Sequence, residues 1–174
     1  MFRRARNALF AASHKGQLER HVLIHYSVVE MIERASISCA NAPESGGILL
    51  GAIRGPHLEI TDFTQPGAED LRSMFQFVQQ DAWHQKAAHN AWVSSHRTVT
   101  FAGEWHTHPL GEPIPSSIDR MSWSVLTRKA KYPMLFLLAA PGKWKGFLAT
   151  QGRLLAAQKE LSIYERGHLG IVLR

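Results

Sequence analysis

Two imidazoles and a carboxylate lie close together in the segment His106-Thr107-His108-Pro109, followed after six residues by Ser116-Ser117-Ile118-Asp119. This is the ligand set of a hydrolytic zinc site, in which three protein ligands leave the fourth tetrahedral position open to water. Thr98 to His106 is rich in Val, Thr, Phe and Trp and reads as a strand. Side chains two apart on a strand share a face, so His106 and His108 project together. Asp119 lies in an apolar-patterned segment, Ile118, Met121, Trp123, Val125 and Leu126, which reads as a helix opening after the Pro113 and Pro115 turn. Ser116 and Asp119 are also what a helix N-terminus needs, a capping hydroxyl and an acid in the first turn. The two readings are compatible, because a strand end and a helix start can converge on one ion.

A metal-bound water needs a proton acceptor. Glu44 stands in Pro43-Glu44-Ser45-Gly46-Gly47, just ahead of the apolar run Ile48 to Ile53, which reads as a buried strand. Glu104 competes for the role: by alternation it shares the face of His106 and His108, and so could be a ligand, a base or an orienter of an imidazole. The pattern leaves both open.

Taken together, Glu44 with Gly47 and Gly51 around an apolar strand, His106-x-His108-Pro109, and Ser116-x-x-Asp119 six residues on resemble the JAB/MPN (JAMM) zinc isopeptidases, over about Ser27 to Gln151. The resemblance implies a single JAB/MPN domain over residues 1–174 with an α/β, cytidine-deaminase-like fold, a mixed curved β-sheet flanked by helices. It implies one Zn2+ per chain held by His106, His108 and Asp119. Glu44 is then the general base and acid, and Ser116 helps bind the water or the developing oxyanion. Glu104 is left outside the ligand shell with no catalytic role. The wording Glu104-Trp105-His106-Thr107-His108-Pro109 is similar to that of small prokaryotic members acting beside ubiquitin-like conjugation enzymes in antiphage (CBASS) defence. That similarity implies a ubiquitin-like conjugate, or the C-terminal tail of a cGAS-like nucleotidyltransferase, as partner. Thr64 to Ser95, where the family's insertions contact the modifier, is the expected recognition segment. The alternative is a non-catalytic MPN-type interaction module, whose members generally lose the metal ligands that this chain keeps.

Size and charge bound the rest. A chain of 174 residues is long enough for one domain burying about 70% of its unfolded surface and too short for two ordinary ones. No apolar run reaches the roughly 18 residues of a membrane span, and Arg3, Arg4 and Arg6 before Ala8 to Ala12 lack the long apolar stretch of a signal peptide. A cytoplasmic protein with no membrane partner is expected. The lone Cys39 fits a reducing compartment and a buried small hydrophobe. The net charge of +6 is uneven: residues 1–20 carry five Lys/Arg and one acid, residues 120–145 carry six and none, and the remainder is net acidic. No element of the common nucleic-acid modules accompanies these patches, so no nucleic-acid partner is expected. The single cysteine also excludes the nucleobase-deaminase zinc signature.

The elements that must position the site follow from periodicity. His21 to His25 reads as a strand, and Ser27 to Glu30 as a capping box opening a helix through Met31, Ile32 and Ala35. Strands are expected at Ile48 to Ile53 and Leu58 to Phe63, with a loop over Asp62 to Gly67. Ala82 to Ser95 has helical spacing, with Trp83 and Trp92 as expected core residues. Arg128-Lys129-Ala130-Lys131 closes the motif helix, and Met134 to Ala140 and Lys145 to Thr150 form a hairpin about Pro141-Gly142. Leu154 to Leu161 is compatible with either a strand or a terminal helix. His21 and His25 have the four-residue spacing of zincin ligands but lack their glutamate and sit in a β-branched run, so they read as structural, and His84 and His89, five apart, do not share a helix face.

Overall fold

A computed structural model of the chain describes residues 20–155, 160–164 and 168–173; the basic segment Met1 to Ala12 lies outside them. The chain runs β1 (Arg20–His25), α1 (Tyr26–Ser38), β2 (Gly46–Arg54), β3 (His57–Phe63), β4 (Leu71–Arg72), β5 (Phe77–Val78), α2 (Ala82–Ser94), β6 (Val99–Thr107) and α3 (Ser117–Thr127). It continues through β7 (Met134–Ala140), β8 (Lys143–Thr150), β9 (Arg153–Leu155), β10 (Glu160–Tyr164) and β11 (His168–Leu173). Among the described residues nine strands form one mixed sheet in the order β10-β11-β1-β3-β2-β6-β7-β8-β9, while β4 and β5 pair separately. The β1–β3 and β6–β7 pairs are parallel and the others antiparallel. The fold is the expected mixed α/β sheet with helices.

The β7 strand explains the layering. It is apolar along its whole length, as a strand covered on both faces should be. Leu135, Leu137 and Ala139 join Val28, Val29, Met31 and Ile32 of α1 in one core cluster. Phe136 and Leu138 join Trp123 of α3 in a second cluster on the other face. Trp123 stacks on Phe136 with ring centroids 4.4 Å apart. That contact seats α3 on the sheet beside the end of β6.

β6 carries a bulge, since Leu49 pairs with Gly103 and Leu50 with Phe101, skipping Ala102. Gly103 has φ +144°, and a Cβ there would lie 1.7 Å from the Leu135 carbonyl oxygen, so the close β6–β7 approach requires glycine. Beyond the bulge Trp105 is buried in the α1 cluster, which turns Glu104 and His106 to the α3 face.

Several expectations are corrected. Helix α1 begins one residue before Ser27, with His25 as N-cap and no side-chain cap, because β1 runs straight into the helix and the His25 ring meets Glu59 instead. β3 extends to Phe63, so the loop begins at Thr64 rather than Asp62. Trp83 and Trp92 are not core residues; they are 47% and 36% exposed, since α2 approaches β6 and β2 and buries only His84. Helix α3 stops at Thr127 with Arg128 as C-cap, so Lys129 and Lys131 lie past its end. The C-terminal segment is strand where described: β11 pairs antiparallel with β1 and β10 with β11. No helix among the described residues is long and apolar enough to cross a membrane.

Candidate metal and catalytic site

Ser116 caps α3 by accepting the Asp119 N–H at 3.1 Å, and Asp119 closes the capping box by accepting the Ser116 N–H at 2.6 Å. The cap fixes the Asp119 carboxylate at the mouth of the sheet. There its two oxygens stand 3.2 Å from His106 Nε2 and 3.5 Å from His108 Nε2. The two Nε2 atoms are 3.0 Å apart. Ligand atoms 2.0–2.1 Å from a tetrahedral zinc are about 3.3–3.4 Å from one another; the carboxylate faces the two rings through different oxygens, and each separation is of about that size. Among the described residues this is the only group of three His, Cys, Asp or Glu side chains close enough to share an ion.

The surroundings suit a cation. His108 Nδ1–H donates to the Glu112 carbonyl at 3.1 Å, a common second partner for a ligating imidazole, and this turns Nε2 toward Asp119, where a metal would meet it. Burial disfavours the Asp119 anion, but hydrogen bonds from His106 and His108 outweigh it and hold the carboxyl well below the ordinary carboxylate range. His108 is pushed up, chiefly by its hydrogen bond to Asp119. Donors of this kind, drawn together around one carboxylate, fit a divalent ion of the zinc type.

Glu44 reaches the same cleft from the other strand. Gly46 pairs with His106, and one residue out Ser45 and Thr107 exchange hydrogen bonds, Ser45 N–H to Thr107 Oγ1 at 2.9 Å and Thr107 N–H to the Ser45 carbonyl at 2.8 Å. Glu44 therefore falls level with His108. Its carboxyl is buried and its pKa is raised by that burial, an effect opposed by His106 and His108 and reinforced by Asp119. Glu104 lines the cleft too, and burial, with the Asp119 charge second, pushes it up to about 7. Ser116 Oγ already accepts the Asp119 N–H, leaving its own hydrogen to donate into the cleft.

The cleft measures about 830 Å³. One wall is the β4–β5 hairpin, with Phe75 at its tip 80% exposed; the other is an apolar stripe of α3, Ile118, Met121 and Val125, each more than half exposed. Helical periodicity shows the stripe but does not tell a core face from a cleft wall. The hairpin has no sequence signal, because each strand is two residues long. Its contacts to Glu44, Arg72 Nε donating to the Glu44 carbonyl at 2.8 Å and Glu44 N–H donating to the Ser73 carbonyl at 2.7 Å, are likewise invisible in the sequence.

Residues 28–150 match the family of prokaryotic homologs of the JAB domain, and the chain belongs to that family. It is 36% identical over 120 residues to a CD-NTase/cGAS isopeptidase of Escherichia coli strain TW11681, covering 69% of this chain and 76% of that protein. It is also 36% identical over 104 residues to a protein of the same name from Vibrio cholerae serotype O1, covering 60% and 67%. The solution structure of protein DSY2949 from Desulfitobacterium hafniense shares the fold, with a TM-score of 0.51 at 20% identity over 75% of this chain and 86% of that one.

Proposed function

We propose that this protein is a zinc-dependent isopeptidase that hydrolyses the bond between a ubiquitin-like C-terminus, here the tail of a CD-NTase/cGAS-like enzyme, and a target amine. The observation that carries the reading is the convergence of His106, His108 and Asp119 with Glu44 and Ser116 at one end of one cleft. The substrate follows from the relatives named CD-NTase/cGAS isopeptidase. In this reading residues 1–174 form one domain working in the cytoplasm.

His106, His108 and Asp119 hold one zinc ion. Bound there, zinc supplies a water acidified to a pKa of about 7 and Lewis-acid polarisation of the scissile carbonyl. Glu44 accepts the proton of the attacking water and delivers it to the leaving amine. The Ser116 hydroxyl donates to the carbonyl oxygen as it gains charge, an interaction worth about 3–4 kcal/mol where single donors of this kind have been removed from other enzymes. The hairpin and the α3 stripe flank an extended tail, with Thr64 to Ser95 facing the folded part of the modifier.

The test is a conjugate panel: the tail of a CD-NTase grafted onto an inert protein and joined to a lysine amine. Release of the graft at the junction supports the reading. Cleavage of eukaryotic ubiquitin chains with no response to the CD-NTase tail removes the substrate assignment, and zinc binding without hydrolysis of any conjugate favours the non-catalytic interaction module.

A further inference from the structure

Away from the ligands, three polar side chains are buried in a row. His84 Nε2 lies 2.8 Å from Asp70 Oδ2, and His84 Nδ1 lies 2.6 Å from Thr64 Oγ1. All three residues are less than 9% exposed. With Nε2–H donating to the carboxylate, the tautomer that satisfies the whole row presents Nδ1 as acceptor. Thr64 then donates to it while accepting the Ile48 N–H at 3.0 Å. Thr64 is itself fastened to the sheet, since its N–H donates to the Ile48 carbonyl and its carbonyl accepts from Trp105 Nε1, both at 2.9 Å. A Cβ on Gly47 would lie 2.2 Å from the Thr64 carbonyl oxygen, so glycine is needed for this approach.

At the far end of the row Asp70 gathers a loop. Besides His84 its carboxylate accepts the N–H groups of Gly67, Gln80 and Asp81 at 2.7–2.9 Å. Burial disfavours the Asp70 anion, but the His84 hydrogen bond and these backbone donors outweigh it and lower the pKa to about 2. One side chain thus ties together both roots of the excursion that carries the β4–β5 hairpin. The hairpin has two pairs, Leu71 with Val78 and Arg72 with Phe77, and Leu71 and Arg72 are exposed. So short a ladder does not hold its own shape in water. Two and three residues beyond Asp70, Arg72 and the Ser73 carbonyl grip the backbone of Glu44 on both sides.

We infer that the Thr64–His84–Asp70 row is a brace that positions Glu44, transmitting the rigidity of β2 and β6 through the hairpin to the backbone of the proton acceptor. The inference rests on the reading of Glu44 as general base. Asp70, His84 and Thr64 are positioning residues and touch no reacting atom. A buried polar row of this kind is costly unless every member is paired, and here every member is: Thr64 to β2, His84 to both its neighbours, and Asp70 to the roots of the hairpin that grips Glu44.

Thr64→Val removes the hydroxyl at constant shape, Thr64→Ser restores it, and Asp70→Asn disturbs the other end. The readout is amide hydrogen exchange at Glu44, whose N–H donates to Ser73, against Thr107, whose N–H donates to Ser45 in the sheet. In Thr64→Val and Asp70→Asn the Glu44 amide should exchange at least about tenfold faster while Thr107 is unchanged. Thr64→Ser should return Glu44 to the wild-type rate. With conjugate as substrate, kcat should fall about 10- to 100-fold with KM and zinc content unchanged, as for a misplaced catalytic group. Wild-type Glu44 exchange in both variants, or no rescue by Thr64→Ser, overturns the brace. If both variants melt the whole molecule, the row is part of the global core and the brace is likewise refuted. Failure of the parent reading is separate: retained hydrolysis in Glu44→Gln discards Glu44 as base without altering the exchange result.

Discussion

Asp119 does two jobs that mutation can separate. It closes the cap of α3 through Ser116 N–H at 2.6 Å, and it stands 3.2 and 3.5 Å from the two imidazole nitrogens. Losing a cap costs about 1 kcal/mol, and in metal-free protein Asp119→Ala should be more destabilised than Ser116→Ala, because it also removes the carboxylate that faces His106 and His108. Zinc at about a thousandfold over its dissociation constant stabilises the folded state by about 4 kcal/mol. For a chain of this size that is a rise in Tm of about 8–16 °C. Wild type and Ser116→Ala should show the full rise; Asp119→Ala should show almost none. The assay is thermal unfolding of chelator-treated protein with and without zinc, paired with measured metal content. An Asp119→Ala protein that keeps the full zinc-induced rise would refute the ligand assignment.

Trp123→Ala should cost about 3–5 kcal/mol in urea unfolding, because Trp123 is buried and stacks on Phe136. It should also weaken zinc binding, since the contact seats the helix that carries Asp119. The pKa of Asp70 is lowered to about 2 from 3.8, so its contribution is complete above the unfolded value and lost as the pH falls through the folded one. Between about pH 5 and pH 2 wild type should lose about 2 kcal/mol more stability than Asp70→Asn, and parallel curves for the two would refute the anionic role. Met121→Asp, on the exposed wall of the cleft, should leave stability within about 0.5 kcal/mol and raise KM for the conjugate. Glu104→Gln, nearly isosteric with the neutral acid that burial favours, should retain activity close to wild type; a loss matching that of Glu44→Gln would make Glu104 the base.

The candidate ligands are legible in the sequence because their spacing is local: alternation on a strand joins His106 to His108, and one helical turn joins Ser116 to Asp119. The pairing of β2 with β6, which brings Glu44 level with them, has no local signature, and its assignment came from resemblance. Tertiary context overrode periodicity in three places. Trp83 and Trp92 have helical spacing, but α2 buries His84 in their stead. The α3 stripe that looks like a core face lines the cleft. Ser27 resembles a cap, but β1 feeds α1 through His25 with no side-chain cap. The Thr64–His84–Asp70 row is formed by residues 14 and 20 positions apart, separations that no periodic pattern reveals.

The central claim is tested most directly by the hydrolysis of a CD-NTase-tail conjugate by one preparation in three states: as purified, stripped by chelator, and restored with one equivalent of zinc, with Glu44→Gln measured alongside. The account predicts activity that vanishes on stripping and returns with zinc. It also predicts a Glu44→Gln protein that binds zinc normally yet cleaves about 100- to 10,000-fold more slowly. Full activity in the stripped protein, or in Glu44→Gln, would contradict it.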